Sequence, residues 1–368
     1  MRIKIFTTAI AAALMFAAAQ ATAGPIGFYW TNGWTSPSNS GGGPNGTVNR
    51  IDANGANAQT IATLDASGQP LFRVTDVEID QGRGRIYWNN WNSGATNSSA
   101  NEAIYRANLN GSGQAVHSSS ATTQSGFASG LHRIAVDSRN GDVYWTRGVS
   151  YANSPSGPEI SKVDVNGANY TKLFGTGTNG WFTSGIAIDE VNSMVYWGDS
   201  GVVNRPPNGA LNSMSTTGVG PTLLVPWGSG NGQGRSVALD MSAGASGTAF
   251  FSAWTTAGGV LNGPANGGGG IWSFDIATGL VSQILNAPNT GIPDIEVDAA
   301  GKRIYWTDYV AGTIMSSDYS GGNVMTEISG LLNPFGLALQ LAAVPEPASI
   351  LLFGLGLLGL GFARRPKN

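Results

Sequence analysis

The stretch RIYWTDY, residues 303–309, sets a Tyr-Trp pair against a Thr and an Asp. Taken alone it has two readings: a reactive Asp308 beside an aromatic platform, or one tile of a repeated scaffold. Its relatives elsewhere in the chain decide for the tile. Tyr-Trp recurs at Tyr29-Trp30, Tyr87-Trp88, Tyr144-Trp145, Tyr196-Trp197 and Tyr305-Trp306, and Phe250-Phe251 fills the one long gap. Successive second positions lie 58, 57, 52, 54 and 55 residues apart. Self-similarity at a near-constant period marks stacked supersecondary units, and here there are six of them.

Two further landmarks keep step with the aromatic pair. Upstream of it lies a short apolar segment ending in an acid: VEID at Asp80, IAVD at Asp137, IAID at Asp189, VALD at Asp240 and IEVD at Asp298. Downstream lies an alternating segment ending in a turn, as in VNRIDANG (48–55), IYRANLNG (104–111), ISKVDVNG (160–167) and IWSFDIATG (271–279). Alternation that runs into Asn-Gly or Thr-Gly is a strand entering a tight hairpin. Each unit therefore reads as a small antiparallel sheet of about four strands, the size of one propeller blade. Composition agrees: 54 glycines, 11 tryptophans and only 11% charged residues suit short strands joined by tight turns.

With these landmarks the chain resembles the YWTD repeat, also called the low-density lipoprotein receptor class B repeat, over roughly residues 26–340. The resemblance implies a six-bladed β-propeller and a packing role between blades for the matching aromatics. Tyr305-Trp306-Thr307-Asp308 matches all four letters and Asp199 keeps the acid, whereas Asn32, Asn90, Arg147 and Ala253 depart from it. The ends of the repeat region complement each other. The chain enters at IGFYWT (26–31) with no upstream segment, and FGLALQ (335–340) is an upstream segment with nothing after it. If FGLALQ forms the innermost strand of the first blade, both ends close the ring and its inner edge is paired.

The flanks read as address labels. Residues 1–23 carry Arg2 and Lys4, an apolar run and Ala21-Thr22-Ala23, the pattern of a secretory signal peptide cleaved between Ala23 and Gly24. Residues 345–368 place Pro345-Glu346-Pro347 before an apolar run, 348–363, and then Arg364-Arg365. The prolines stop a strand, the run suits transient membrane contact, and the Arg pair favours the cytoplasmic side. These parts resemble the PEP-CTERM sorting signal of exopolysaccharide-producing Gram-negative bacteria. The resemblance implies recognition by an exosortase, removal of the tail and delivery to the cell surface or extracellular matrix; retention as a membrane anchor is the alternative.

Between these flanks, 24–344, lies the all-β propeller. Five of the 19 basic residues and one of the 22 acidic ones fall in the flanks, leaving 14 against 21. A net charge near −7 speaks against a nucleic-acid partner, whose affinity comes mainly from neutralising phosphates. Without cysteine there are no disulfides and no thiolate ligands or nucleophile, and His117 and His132 are the only histidines.

Function has two candidate locations. From the aromatic pair to the hairpin Gly the units span 25, 23, 22, 21, 28 and 15 residues, and the longer spans are rich in Gly, Ser and Asn. Alternating strand direction puts all such insertions on one face, with Trp34, Trp91, Tyr151, Trp181 and Trp227 in the loops and connections there. Their rings suit stacking on sugars, or capping of the hydrophobic core. The second location is the central channel. Glu78 and Glu296 stand where other copies have Ala, Asp76 and Asp294 precede them by two residues, and His132, Arg133 and Arg235 occupy neighbouring positions. Such a cluster suits a cation such as calcium, a polar ligand, acid–base chemistry, or a structural network of paired groups. Two functions follow as expectations: an exported binding or scaffolding protein for polysaccharide or a surface protein with no required cofactor, or a metal-assisted propeller hydrolase of the lactonase or esterase kind.

Overall fold

The computed structural model describes residues 24–32, 46–66, 68–71, 73–90, 103–119, 131–147, 159–175, 183–199, 209–226, 231–256, 269–287 and 291–342. In these residues 24 strands form six four-stranded antiparallel sheets arranged as the blades of a propeller. Blade I holds β1 (Pro25–Asn32), β2 (Thr47–Asp52), β3 (Gln59–Ala62) and, from the far end of the chain, β24 (Pro334–Leu341). Blade II runs β4 (Val77–Asp80), β5 (Arg85–Asn90), β6 (Ala103–Asn108) and β7 (Ala115–Ser119). Blade III runs β8 (Leu131–Val136), β9 (Val143–Arg147), β10 (Glu159–Val163) and β11 (Thr171–Gly175). Blade IV runs β12 (Thr183–Asp189), β13 (Met194–Asp199), β14 (Gly209–Ser215) and β15 (Thr222–Pro226). Blade V runs β16 (Asn231–Asp240), β17 (Thr248–Thr256), β18 (Gly269–Asp275) and β19 (Val281–Ala287), and blade VI runs β20 (Ile295–Asp298), β21 (Arg303–Asp308), β22 (Thr313–Asp318) and β23 (Met325–Ile328).

The ring closes as its complementary ends imply. β24 pairs antiparallel with β1, with Phe28 opposite Leu339, Tyr29 opposite Ala338 and Trp30 opposite Leu337. It thereby becomes the innermost strand of blade I and touches β4 on one side and β20 on the other.

Because successive strand residues point to opposite faces, each Tyr-Trp pair serves two interfaces. Tyr29 of blade I packs with Val77, Ile86 and Trp88 of blade II. Tyr87 joins Trp145 of blade III, Tyr144 joins Trp197 of blade IV, and Tyr196 joins Phe251 of blade V. Phe250 then meets Trp306 of blade VI, and Tyr305 meets Trp30 of blade I. Each blade thus sends its first aromatic forward and its second backward around the ring. Trp88, Trp197, Tyr29, Tyr87 and Tyr144 are among the largest fully buried side chains, so this seam supplies much of the apolar burial that holds the disc together.

The acids of the repeat shape turns. The acid at the end of the inner strand, or for Asp137 just past it, accepts from backbone N–H groups two or three positions on: Asp80 from Arg83, Asp137 from Arg139, Asp189 from Val191 and Asn192, Asp240 from Ser242, Asp298 from Ala300 and Gly301, all at 2.8–3.1 Å. Asp308 does the same for Val310 (3.0 Å) and Ala311 (2.9 Å), which accounts for the acid in RIYWTDY as a turn former. The outer hairpins turn on Gly55, Gly111, Gly167, Gly218, Gly279 and Gly321, all at positive φ, where a Cβ is disfavoured.

Strand direction gives the disc two different ends. Inner strands start, and second strands finish, at one end, so the long insertions and the links between blades attach there. The hairpins joining first to second and third to fourth strands lie at the other. We call these the loop face and the hairpin face.

Candidate functional site

The six inner strands line the channel, and their equivalent positions form rings. Opposite the first aromatic of each blade stand Ala338, Glu78, Ala135, Ala187, Ala238 and Glu296, in order from blade I to blade VI. Two residues earlier, toward the loop face, the corresponding ring reads Gly336, Asp76, Arg133, Gly185, Ser236 and Asp294. The channel residues expected from the sequence therefore separate into layers with different surroundings.

Arg133 organises the upper layer. In a six-membered ring blade III lies across from blade VI, and the Arg133 guanidinium spans that diameter. Its Nη1 donates to Asp76 Oδ1 (3.0 Å) and to the Thr75 carbonyl (2.8 Å), and pairs with Asp294 Oδ2 (3.1 Å); its Nη2 donates to the Pro293 carbonyl. The same group lies 5.1 Å from the centre of the Phe335 ring in blade I, within cation–π range. The two carboxylates are further held: Asp76 Oδ2 accepts from Ile134 N–H (2.7 Å), and Asp294 accepts from the Ser236 hydroxyl (2.6 Å) and Leu337 N–H (2.8 Å). One cation thus ties blades I, II, III and VI together. Gly336 leaves the room for this, since a Cβ there would stand 2.7 Å from the Asp76 Cα.

Burial sets the protonation of these groups. It raises the pKa of Asp76 well above the carboxylate range, with Arg133 pulling the other way and Asp294 pushing in the same direction. At Arg133 burial opposes the charge, but Asp294 and Asp76 outweigh it and the pKa is raised. His132 and Arg235 sit one residue nearer the loop face, each the extra residue of a β-bulge in its inner strand. Burial, then Arg235 and Arg133, push His132 down to about 3, so it is neutral at ordinary pH. Burial and Arg133 lower Arg235 to about 10, which leaves it charged.

The lower layer differs. Glu78 and Glu296, from the two blades that flank blade I, line a cavity of about 150 Å³ whose other walls are Ala135, Val136, Ile186, Ala187, Ile188, Val237, Ala238, Leu239 and Val297. Burial raises both carboxyls well above the usual range. At Glu78 the next causes are Glu296, Asp76 and Asp294; at Glu296 they are Asp294 and Asp76. The cavity thus sets two carboxyls of raised pKa against an aliphatic wall. Among the described residues no group of three or more His, Asp or Glu is arranged to hold a metal ion.

The repeat's third letter, which sequence reasoning passed over, proves central to the upper layer. Thr146 Oγ1 accepts from Arg133 N–H (3.1 Å) in its own blade and donates to the Ser184 carbonyl (2.8 Å) of the next. Asn89 accepts from Thr75 and Asp76 N–H (2.9 Å each) and donates to the Leu131 and His132 carbonyls of blade III (3.0 and 3.2 Å). Thr31 accepts from Gly336 N–H (2.9 Å), Thr307 donates to the Phe335 carbonyl (2.8 Å), and Ser252 accepts from Ser236 N–H (3.1 Å). The signal was present as Thr, Asn, Thr, Gly, Ser and Thr after the second aromatic: five side chains with hydrogen-bonding oxygen in six copies.

His117, away from the channel, is buried in the outer strand of blade II and packs edge-on against Tyr87 at 5.1 Å. Burial, then Arg106 and Arg85, push its pKa down to about 4. Trp34, Trp91, Tyr151, Trp181 and Trp227 lie outside the described residues, as do Ala23, Pro345, Glu346 and Pro347; Gly24 is the first described residue.

Comparison with known proteins bears on the tail and on the body. Residues 343–365 match the PEP-CTERM protein-sorting motif, which implies export and C-terminal sorting to the cell envelope or surface. No helix among the described residues is long and apolar enough to cross a membrane. The low-density lipoprotein receptor-related protein 1 of Pyricularia oryzae is 26% identical over 190 residues, covering 48% of this chain and 56% of that protein. The chain thus spans about half the length of this curated relative. A chain of a nidogen/laminin complex superposes with a TM-score of 0.57 at 15% identity, over 86% of this chain and 100% of that one. TolB from Acinetobacter baumannii superposes with a TM-score of 0.60 at 12% identity, over 88% and 69%. At such identities the likeness is one of fold. The chain is accordingly a six-bladed β-propeller, similar in fold to those structures and with repeats that resemble the YWTD repeat, that carries a PEP-CTERM protein-sorting motif at its C-terminal end.

Proposed function

We propose that this protein is an exported binding scaffold that presents its loop face to extracellular polysaccharide or to a surface protein, after an exosortase-type enzyme has acted on residues 345–368. The observation that carries the reading is strand direction: the long Gly-, Ser- and Asn-rich insertions of five blades attach at one end of a closed, rigid ring. Trp34, Trp91 and Tyr151 belong to these insertions and Trp181 and Trp227 to the links between blades that attach at the same end, and their rings suit sugar faces. The upper channel layer supports the same reading, since Asp76, Arg133 and Asp294 bind one another and the backbone and so have a structural use. The fold's occurrence in a nidogen/laminin complex is consistent with protein–protein association, as analogy only.

The test is retention of the processed protein on a column of the producing organism's own exopolysaccharide. Replacing Trp34, Trp91 and Trp181 by Ala should release it without changing its melting temperature. Turnover of lactones or esters by the native protein, abolished by a chelator or by Glu78→Gln with Glu296→Gln, would instead favour the hydrolase.

A further inference from the structure

Both membrane-directed segments of the sequence join the propeller at the same end. β1 starts with Pro25 at the hairpin face, directly after the signal-peptide region, and pairs there with Leu341 at the end of β24. The sorting motif begins at 343, two residues beyond Leu341. The exit point is fixed: with the Gln81 amide oriented to satisfy both groups, its nitrogen donates to the Leu341 carbonyl (3.0 Å) and its oxygen accepts from Leu341 N–H (3.1 Å). Gln81 belongs to the first hairpin of blade II, so the last residue of the closing strand is tied to the hairpin face beside the channel.

We infer that the hairpin face lies against the lipid bilayer while the tail is attached, and that the loop face is thereby directed away from it. This inference rests on the reading of 348–363 as a membrane-contacting run. Chain length decides the geometry. Six residues, 342–347, separate β24 from that run and reach about 20 Å when fully extended. To lay the loop face on the bilayer, the tether would have to pass from the innermost strand to the rim, about 14 Å across four strands. It would then have to climb the height of the disc, about 27 Å for a strand of 8 residues. The tether is half the length required. With the hairpin face down, no such detour is needed.

The hairpin face also carries apolar tips suited to a headgroup layer. Val191 and Val219 of blade IV, Leu280 of blade V and Val324 of blade VI sit in its turns, Val219 and Leu280 at 70% and 65% exposure.

The absence of cysteine makes the test clean. Single variants Val219→Cys and Leu280→Cys mark the hairpin face, and Val310→Cys and Leu332→Cys mark the loop face. Each full-length chain is labelled with a fluorophore and bound to phosphatidylethanolamine/phosphatidylglycerol vesicles containing a headgroup nitroxide quencher. Quenching should be at least twofold greater at 219 and 280 than at 310 and 332, and the difference should vanish in a chain spanning 24–344, which lacks both membrane-directed segments. Vesicle-bound protein with equal or reversed quenching overturns the orientation and leaves the membrane reading intact. Protein that fails to float with the vesicles overturns the membrane reading, and the orientation with it.

Discussion

Replacing Arg133 by Met should lower the stability of the whole propeller and change how that stability depends on pH. Arg133 is 4% exposed and is shared by Asp76 and Asp294, both also buried. Met retains most of the apolar volume and removes the charge, leaving two carboxyls in a desolvated channel and the Thr75 and Pro293 carbonyls without their donor. Removing one partner of a buried ion pair costs about 3–5 kcal/mol, because the remaining charge is uncompensated. The orphaned carboxyls meet that cost by binding protons, so the folded pKa of Asp76, already raised, moves further above the unfolded value of about 3.9. A carboxyl raised in this way binds more protons folded than unfolded, so the stability it contributes falls as pH rises through the window between those values. The deficit of Arg133→Met should therefore be largest at pH 7–8 and shrink toward pH 4. Calorimetric melts of variant and parent across this range are the assay. A drop of roughly 5–10 °C at pH 7 is expected, and Asp76→Asn with Asp294→Asn in the Met background should recover most of it. A variant melting within 1 °C of the parent at pH 7, or one whose deficit is independent of pH, would refute the cross-channel brace.

Three further outcomes follow from the same geometry. Glu78→Gln with Glu296→Gln removes two carboxyls whose folded pKa values are raised, so the variant should gain on the parent as pH climbs above about 4.3 and converge with it at pH 4; parallel melting curves would contradict this. His117 is depressed to about 4 from 6.5, so the unfolded chain binds the extra proton and stability is lost as pH falls between those values, by up to roughly 3 kcal/mol. His117→Gln should flatten that limb of the urea-denaturation profile against pH, whatever it does to the absolute level. Thr146→Val should cost about 1–3 kcal/mol by leaving Arg133 N–H and the Ser184 carbonyl without their common partner, and a neutral result in urea denaturation would remove the third repeat letter from the interblade network.

The residues legible from sequence alone are those whose role depends on local spacing. A period of 52–58 residues, the alternating run into Asn-Gly and the adjacency of Tyr to Trp each follow from strand alternation and turn chemistry, and they determined the blade, the blade number and the closure by 335–340. The same alternation placed Glu78 and Glu296 on one ring against four alanines. What remained hidden depends on bringing distant blades together. Arg133 reaches Pro293, 160 residues away, only because six blades set blade III opposite blade VI, and no spacing in the chain encodes that diameter. β-Bulges put His132 and Arg235 out of register with the simple alternation, so their layer could not be counted from strand position. RIYWTDY shows both halves of this division. Sequence identified it as a tile and gave Tyr305 and Trp306 opposite faces, while tertiary structure decided that Thr307 bonds the closing strand and Asp308 its own turn, because a hydroxyl or carboxylate binds whichever backbone the assembled ring brings within reach.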